Sequence, residues 1–233
     1  MPALVAGIHV SNDARSKDVD GRDKPGHDGA DRLRSMAVGM RTADTRNGYG
    51  WISIVLHWLT AAIVLTMLVI GSMSQGAGRE ESARLVHLHT TIGMTAYVLL
   101  WGRIIWRFTV GHPGPLPKQG ALFFAIGKYF HFLLLMAIGA MLVSGPLMVW
   151  SDGESIGVFD AALPSPLGKL PGVQHVLRTL HGYAASFILA GVILHVLAVF
   201  WHAVLNRDGT FDKIMIAGGG RRDRLAAASQ NKA

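Results

Sequence analysis

Four stretches of the chain carry no Asp, Glu, Lys or Arg: between Arg46 and Arg79, Arg84 and Arg103, Lys128 and Asp152, and Arg178 and Arg207. Each gap is about 18 residues or longer, the length a helix needs to cross a hydrocarbon core of roughly 30 Å. A backbone in lipid must satisfy its own hydrogen bonds, so helices are the expected form. The pattern predicts an all-α membrane protein, a bundle of four transmembrane helices.

Composition agrees with this. Half of the 233 residues are hydrophobic and 16% are charged, against roughly a quarter charged in ordinary soluble domains. Residues 1–46 break the pattern: SNDARSKDVDGRDKPGHDGADRLR is dense in charge and glycine and has no apolar period, which predicts a disordered extension. A start at Met36 or Met40 would leave a short basic leader, so a mis-assigned translation start is a competing reading. The membrane domain is placed at 47–216 and a flexible cytoplasmic tail at 217–233. The first apolar span is too long for a cleavable signal peptide.

Charge adds the orientation. The net charge of +7 would suit nucleic acid, but the basic residues flank the spans, and a topology signal explains them better. Of 22 Lys and Arg, 18 fall in the N-terminal segment, the middle loop and the C-terminal segment, and 4 in the other two loops. By the positive-inside rule both termini are cytoplasmic, in a multi-pass protein of a bacterial inner (plasma) membrane. Trp51, Trp101, Trp106, Trp150 and Trp201 stand near span ends, as an aromatic belt requires. The chain has no cysteine, which excludes disulfides and thiolate-held metals or iron–sulfur clusters.

Ligand-capable groups inside spans are costly and are functional candidates by default. Four histidines stand at useful depths: His57 in the first span, His89 in the second, and His181 and His195 in the fourth. The last two are separated by 14 residues, about 1,400° of helix rotation and some 21 Å of rise, so both face one way. Depth pairs His57 with His195 on the cytoplasmic side and His89 with His181 on the periplasmic side. Such cross-helix pairs are what six-coordinate b-type haem needs, with both axial positions filled in favour of electron transfer. Gly93, Gly182, Gly191, Ala184 and Ala185 would let a flat macrocycle approach, although helix packing uses small residues equally. The alternative for any one histidine is a hydrogen-bonded structural residue. A non-haem metal site is the weaker rival, because the spans contain no Asp or Glu.

His87 sits two residues from His89 and points nearly the opposite way. His202 shares the face of His195 but lies at the membrane edge, as a supporting or interfacial group. His112, His131 and His175 are expected in loops or at span ends, and His9 and His27 as bystanders. Arg103, Arg107 and Arg178 are candidates for pairing with haem propionates, since guanidinium matches carboxylate bidentately. Snorkelling and topology anchoring are the competing reading.

These residues together resemble the prokaryotic cytochrome b561 family. The likeness rests on YGWISIVLHW after a basic leader, HTTIG opening span two and RIIWRF closing it, HFLLLMAIGAMLVSGPLMV in span three, and LHGYAASFILAGVILH in span four. It covers about residues 47 to 216. It implies two haem b groups (iron), held by His57 with His195 and by His89 with His181. The glycine four residues after His89 favours His89 over His87. It also implies a haem-dependent oxidoreductase of the superoxide:ubiquinone type, with lipid, quinone and a small periplasmic donor as partners and a homo-oligomer as an open option. Arg178, just before His181, would attract an anion such as superoxide. The second function is a membrane subunit relaying electrons between a hydrogenase or dehydrogenase and quinone, ranked lower because the loops read as short and featureless. A haem-free transporter or structural bundle is the remote third. The expected quinone pocket lies on the cytoplasmic side near His57, His131 or Arg103.

Overall fold

The computed structural model describes residues 44–45, 48–110, 113–115, 120–206 and 212–215. His9, His27, Met36, Met40, His112 and the 217–233 tail lie outside these residues. Four long helices dominate: α1 Trp51–Gly76, α2 Arg79–Thr109, α3 Ala121–Ser151 and α4 Pro171–Phe200. A π-helical turn, Trp201–Asn206, prolongs α4, and a short helix α5 spans Asp212–Met215.

α1, α3 and α4 are long and apolar enough to cross a membrane by length and composition. α2 matches α3 in length at 31 residues, but its charge-free stretch holds His87, His89, Thr90, Thr91 and Thr95 and is correspondingly more polar. Helix ends follow local chemistry. Pro171 opens α4, where a missing N–H costs nothing. Glu80 and Glu81 in the first turn of α2 and Arg107 in its last complement the helix dipole.

The helices pack as two hairpins, α1 against α2 and α3 against α4. Gly93 of α2 lies against Met67 of α1, and Gly191 of α4 against Leu134 and Phe130 of α3. These two small residues therefore serve helix packing. The hairpins meet through α2 and α3, whose Ala96, Leu100, Ile104 and Leu142 form the buried apolar cluster. Across α1 and α2, Trp106 donates its indole N–H to the buried Ser53 hydroxyl at 2.8 Å.

Two expectations change. The extension drawn to residue 46 contains a folded contact: Asp44 accepts the Gly50 backbone N–H at 2.9 Å and pairs with Arg107 at 3.1 Å. Its side chain is 0% exposed. A carboxylate at the start of α1 satisfies an otherwise unpaired N–H and the positive end of the helix dipole, which holds Asp44 against the bundle. The loop between α3 and α4 is not featureless. It carries an antiparallel hairpin, β1 Ile156–Val158 with β2 Ala161–Leu163. β1 lies on α2: Thr90 Oγ1 donates to the Gly157 carbonyl at 2.9 Å, and the Phe159 N–H donates to Thr91 Oγ1 at 3.3 Å. A Cβ on Gly157 would stand 2.7 Å from His87 Cδ2, so only glycine allows this approach.

Candidate functional site

Four histidines of the long helices form two facing pairs. His57 of α1 and His195 of α4 have ring centres 6.3 Å apart, with planes at 65°. His89 of α2 and His181 of α4 are 6.4 Å apart, with planes at 69°. Each pair takes one ring from each hairpin, so the imidazoles face each other across the seam. A metal–imidazole bond is about 2.0–2.1 Å, and the ring centre lies about 1.1 Å behind the nitrogen, so two imidazoles on opposite sides of one metal ion stand about 6.3 Å apart. Both intervals have that width. No group of three or more His, Cys, Asp or Glu able to hold an ion is present among the described residues. The donor set is thus two imidazoles per site, which fits a cofactor that supplies the iron's other ligands itself.

Glycines of the neighbouring helices lie against two of the rings. A Cβ at Gly71 of α1 would lie 3.4 Å from His89 Cε1, and one at Gly145 of α3 would lie 3.4 Å from His181 Cε1. Neither glycine was evident from the sequence, because each acts on a ring of the adjacent helix and belongs to no motif of its own. Gly182 has no neighbour within 4 Å of a built Cβ. Ala184 is buried and Ala185 half-buried in α4.

His131 is the main correction among the histidines. It stands inside α3, its ring centre 4.9 Å from that of His195 at 87°. That distance is too short for the two to share an ion from opposite sides. Its Nδ1 lies 2.6 Å from the Gly127 carbonyl and must be the donor there, which leaves Nε2 with the lone pair. α3 passes His195 because it packs along α4, a relation no sequence spacing reveals. His87 faces the β-hairpin instead of the seam, while His175 lies exposed near the start of α4 and His202 half-buried in the π-turn.

The three arginines separate in role. Arg103 Nη1 is buried without a hydrogen-bond partner, an orphaned donor of the kind that calls for a missing acceptor. Arg107 is committed to Asp44 and lies 5.5 Å over the Tyr49 ring. Burial pushes the Tyr49 phenol above its ordinary value, against the opposing pull of Arg107. Arg178 is exposed in the early turns of α4. Beside His131, a groove of about 450 Å³ is lined by Arg107, Phe108, Lys128, Tyr129, Phe132 and Leu135.

Comparison with known proteins gives the context for this geometry. A family model described as prokaryotic cytochrome b561 matches residues 48–217. The chain is 28% identical to cytochrome b561 homolog 2 of Escherichia coli (strain K12), over 76% of its own length and 95% of that protein. It is 26% identical to cytochrome b562 of Cereibacter sphaeroides, over 72% and 95%. It is 21% identical to a probable superoxide oxidase of Yersinia pestis, again over 72% and 95%.

Proposed function

The chain belongs to the prokaryotic cytochrome b561 family, membrane proteins that transfer electrons through haem b, and on that premise we propose that it carries electrons through two bis-histidine haems from a periplasmic donor to membrane quinone. The observation that carries the reading is the pair of imidazole intervals, 6.3 and 6.4 Å. His57 and His195 hold one haem and His89 and His181 the other. When bound, each haem supplies a one-electron iron couple whose potential the protein tunes. The histidines set the two groups on one face of α4, about 21 Å apart along its axis.

The rest of the chain binds and positions. All four long helices cross the membrane, with both termini cytoplasmic, as the asymmetry of basic residues supports. Arg103 offers its unpartnered Nη1 to a propionate of the His57–His195 haem. Arg107 is a weaker candidate because Asp44 already holds it. The groove beside His131 is apolar and aromatic with a cationic rim, which suits a quinone ring awaiting two electrons and two protons.

A one-electron donor such as superoxide, which leaves as dioxygen, is the best-supported donor, because a relative of this length is named a probable superoxide oxidase. Arg178 is the residue to attract it. The two periplasmic loops and their flanking turns hold Glu80, Glu81, Asp152, Glu154 and Asp160 against Arg79, Arg84, Lys169 and Arg178. Any pull on an anion is therefore local to Arg178, not a field of the whole face.

A reduced-minus-oxidised spectrum with a pyridine haemochrome assay tests the ligand scheme on wild type and His195→Ala. Two b haems per chain, falling to one in the variant, is the expected result. Absence of b-type absorption in folded, haem-supplied protein would overturn it.

A further inference from the structure

α3 contributes no histidine to either facing pair, yet it carries Ser144-Gly145-Pro146 directly beside one of them. Ser144 is 0% exposed, and its Oγ lies 3.0 Å from His181 Nδ1. Gly145, the next residue, lies against the same ring, whose Cε1 would meet a built Cβ at 3.4 Å, an ordinary contact distance. Pro146 follows inside the helix and cannot donate to the carbonyl four residues back, so this turn is locally released from the helix ladder. A buried hydroxyl and the glycine beside it thus both face one imidazole.

The chemistry of that hydrogen bond has a direction. If Nε2 of His181 is the nitrogen that meets the iron, Nδ1 carries the proton, and Ser144 Oγ is the acceptor. The opposite polarity would put the proton on Nε2 and block ligation. Among the described residues, no side-chain hydroxyl bonds the other three rings of the two pairs. The Met67 backbone is the polar neighbour of His89, but His89 Nδ1 has no aligned hydrogen-bond partner. A partner that accepts a proton from a ligating imidazole fixes its tautomer and raises its basicity. A more basic axial ligand stabilises ferric over ferrous iron, and outer hydrogen bonds are one of the levers on haem potential.

We propose that Ser144 is a positioning residue for the His89–His181 haem: its hydroxyl accepts the His181 N–H, aims Nε2 across the seam, and lowers the potential of that haem alone. The inference rests on the two-haem reading above. It makes the two haems unequal by a device outside the ligand set, and it places a functional residue on the helix that supplies no ligand.

Redox titration of the intact protein, followed optically, tests it. Ser144→Ala removes the acceptor and keeps the helix. We expect two haems by haemochrome, one midpoint unchanged and the other raised. At fixed ambient potential the ferric-to-ferrous ratio of that haem should fall by up to about fivefold, the limit reached if the full worth of one ordinary hydrogen bond favours the ferric state alone. Ser144→Cys, with a weak sulfur acceptor in nearly the same volume, should fall between wild type and Ser144→Ala. Ser151→Ala removes another fully buried hydroxyl of α3, one that bonds the Met148 carbonyl, and should move neither midpoint. Two haems in Ser144→Ala with both midpoints unmoved, or both moved alike, would overturn the assignment and leave the two-haem reading standing. Fewer than two haems in the wild type would instead remove the premise.

Discussion

Asp44 shows how one side chain redraws a boundary. In the sequence it is one acid in a charged run and looks solvated. In the fold its carboxylate meets the Gly50 N–H and the Arg107 guanidinium with no exposed surface, while the Arg107 side chain is 10% exposed. Removing one member of a buried ion pair leaves the other uncompensated, at a cost of about 3–5 kcal/mol. Asp44→Ala should therefore lower the melting temperature of detergent-solubilised protein, and Arg107→Met in the same background should recover part of the loss. An unchanged melting temperature in Asp44→Ala would mean that Arg107 finds water or lipid headgroups instead. The four histidines behaved differently. Their positions could be proposed from spacing, because a ligand on a regular helix has its angle and depth fixed by the residue count. His131 could not, because its nearness to His195 depends on which helix lies beside α4.

At the scale of elements, the hairpin between α3 and α4 changes the view of the loop that joins them. Its strands are only three residues long, and such a ribbon has little stability alone. Contacts with α2 hold it: Ile156 is 2% exposed, Thr90 and Thr91 bond its backbone, and Gly157 fits against His87. Phe159, at the tip, adopts φ 52°, an uncommon conformation for a side chain of its size. Gly157→Val would drive a side chain into the His87 ring, with an overpacking cost of about 1–3 kcal/mol. Limited proteolysis should then cut residues 152–170 faster than in wild type, and His87→Ala added to Gly157→Val should restore resistance. Equal cleavage of wild type and Gly157→Val would show that the strap is not held by this contact. What fixes the ribbon is a helix more than sixty positions earlier in the chain.

For the whole molecule, the arrangement of two helical hairpins meeting at a seam is what turns isolated histidines into paired ones. Each hairpin packs through its own close approaches, Gly93 on Met67 and Gly191 on Leu134. Each presents two of the four rings to the other hairpin. The proposed topology is testable at this scale. A fluorescent-protein reporter fused at the C-terminus should be active, and an alkaline phosphatase reporter inserted between Gly76 and Arg79 should be active as well, since the first works in the cytoplasm and the second outside it. An inactive pair would invert the orientation and exchange the donor and quinone sides.

By itself the sequence determined the number of long apolar or near-apolar helices, the family, and the four histidines whose spacing suits facing pairs. Each of these follows from local rules: a span needs a length without charge, and two ligands on one helix face need a near-integral number of turns. Only the tertiary structure decided which helices pack together, that His131 touches His195, that Asp44 belongs to the bundle, and that Ser144 reaches His181. Those contacts join residues on different elements, and no period along one chain segment carries information about the face another segment will present to it.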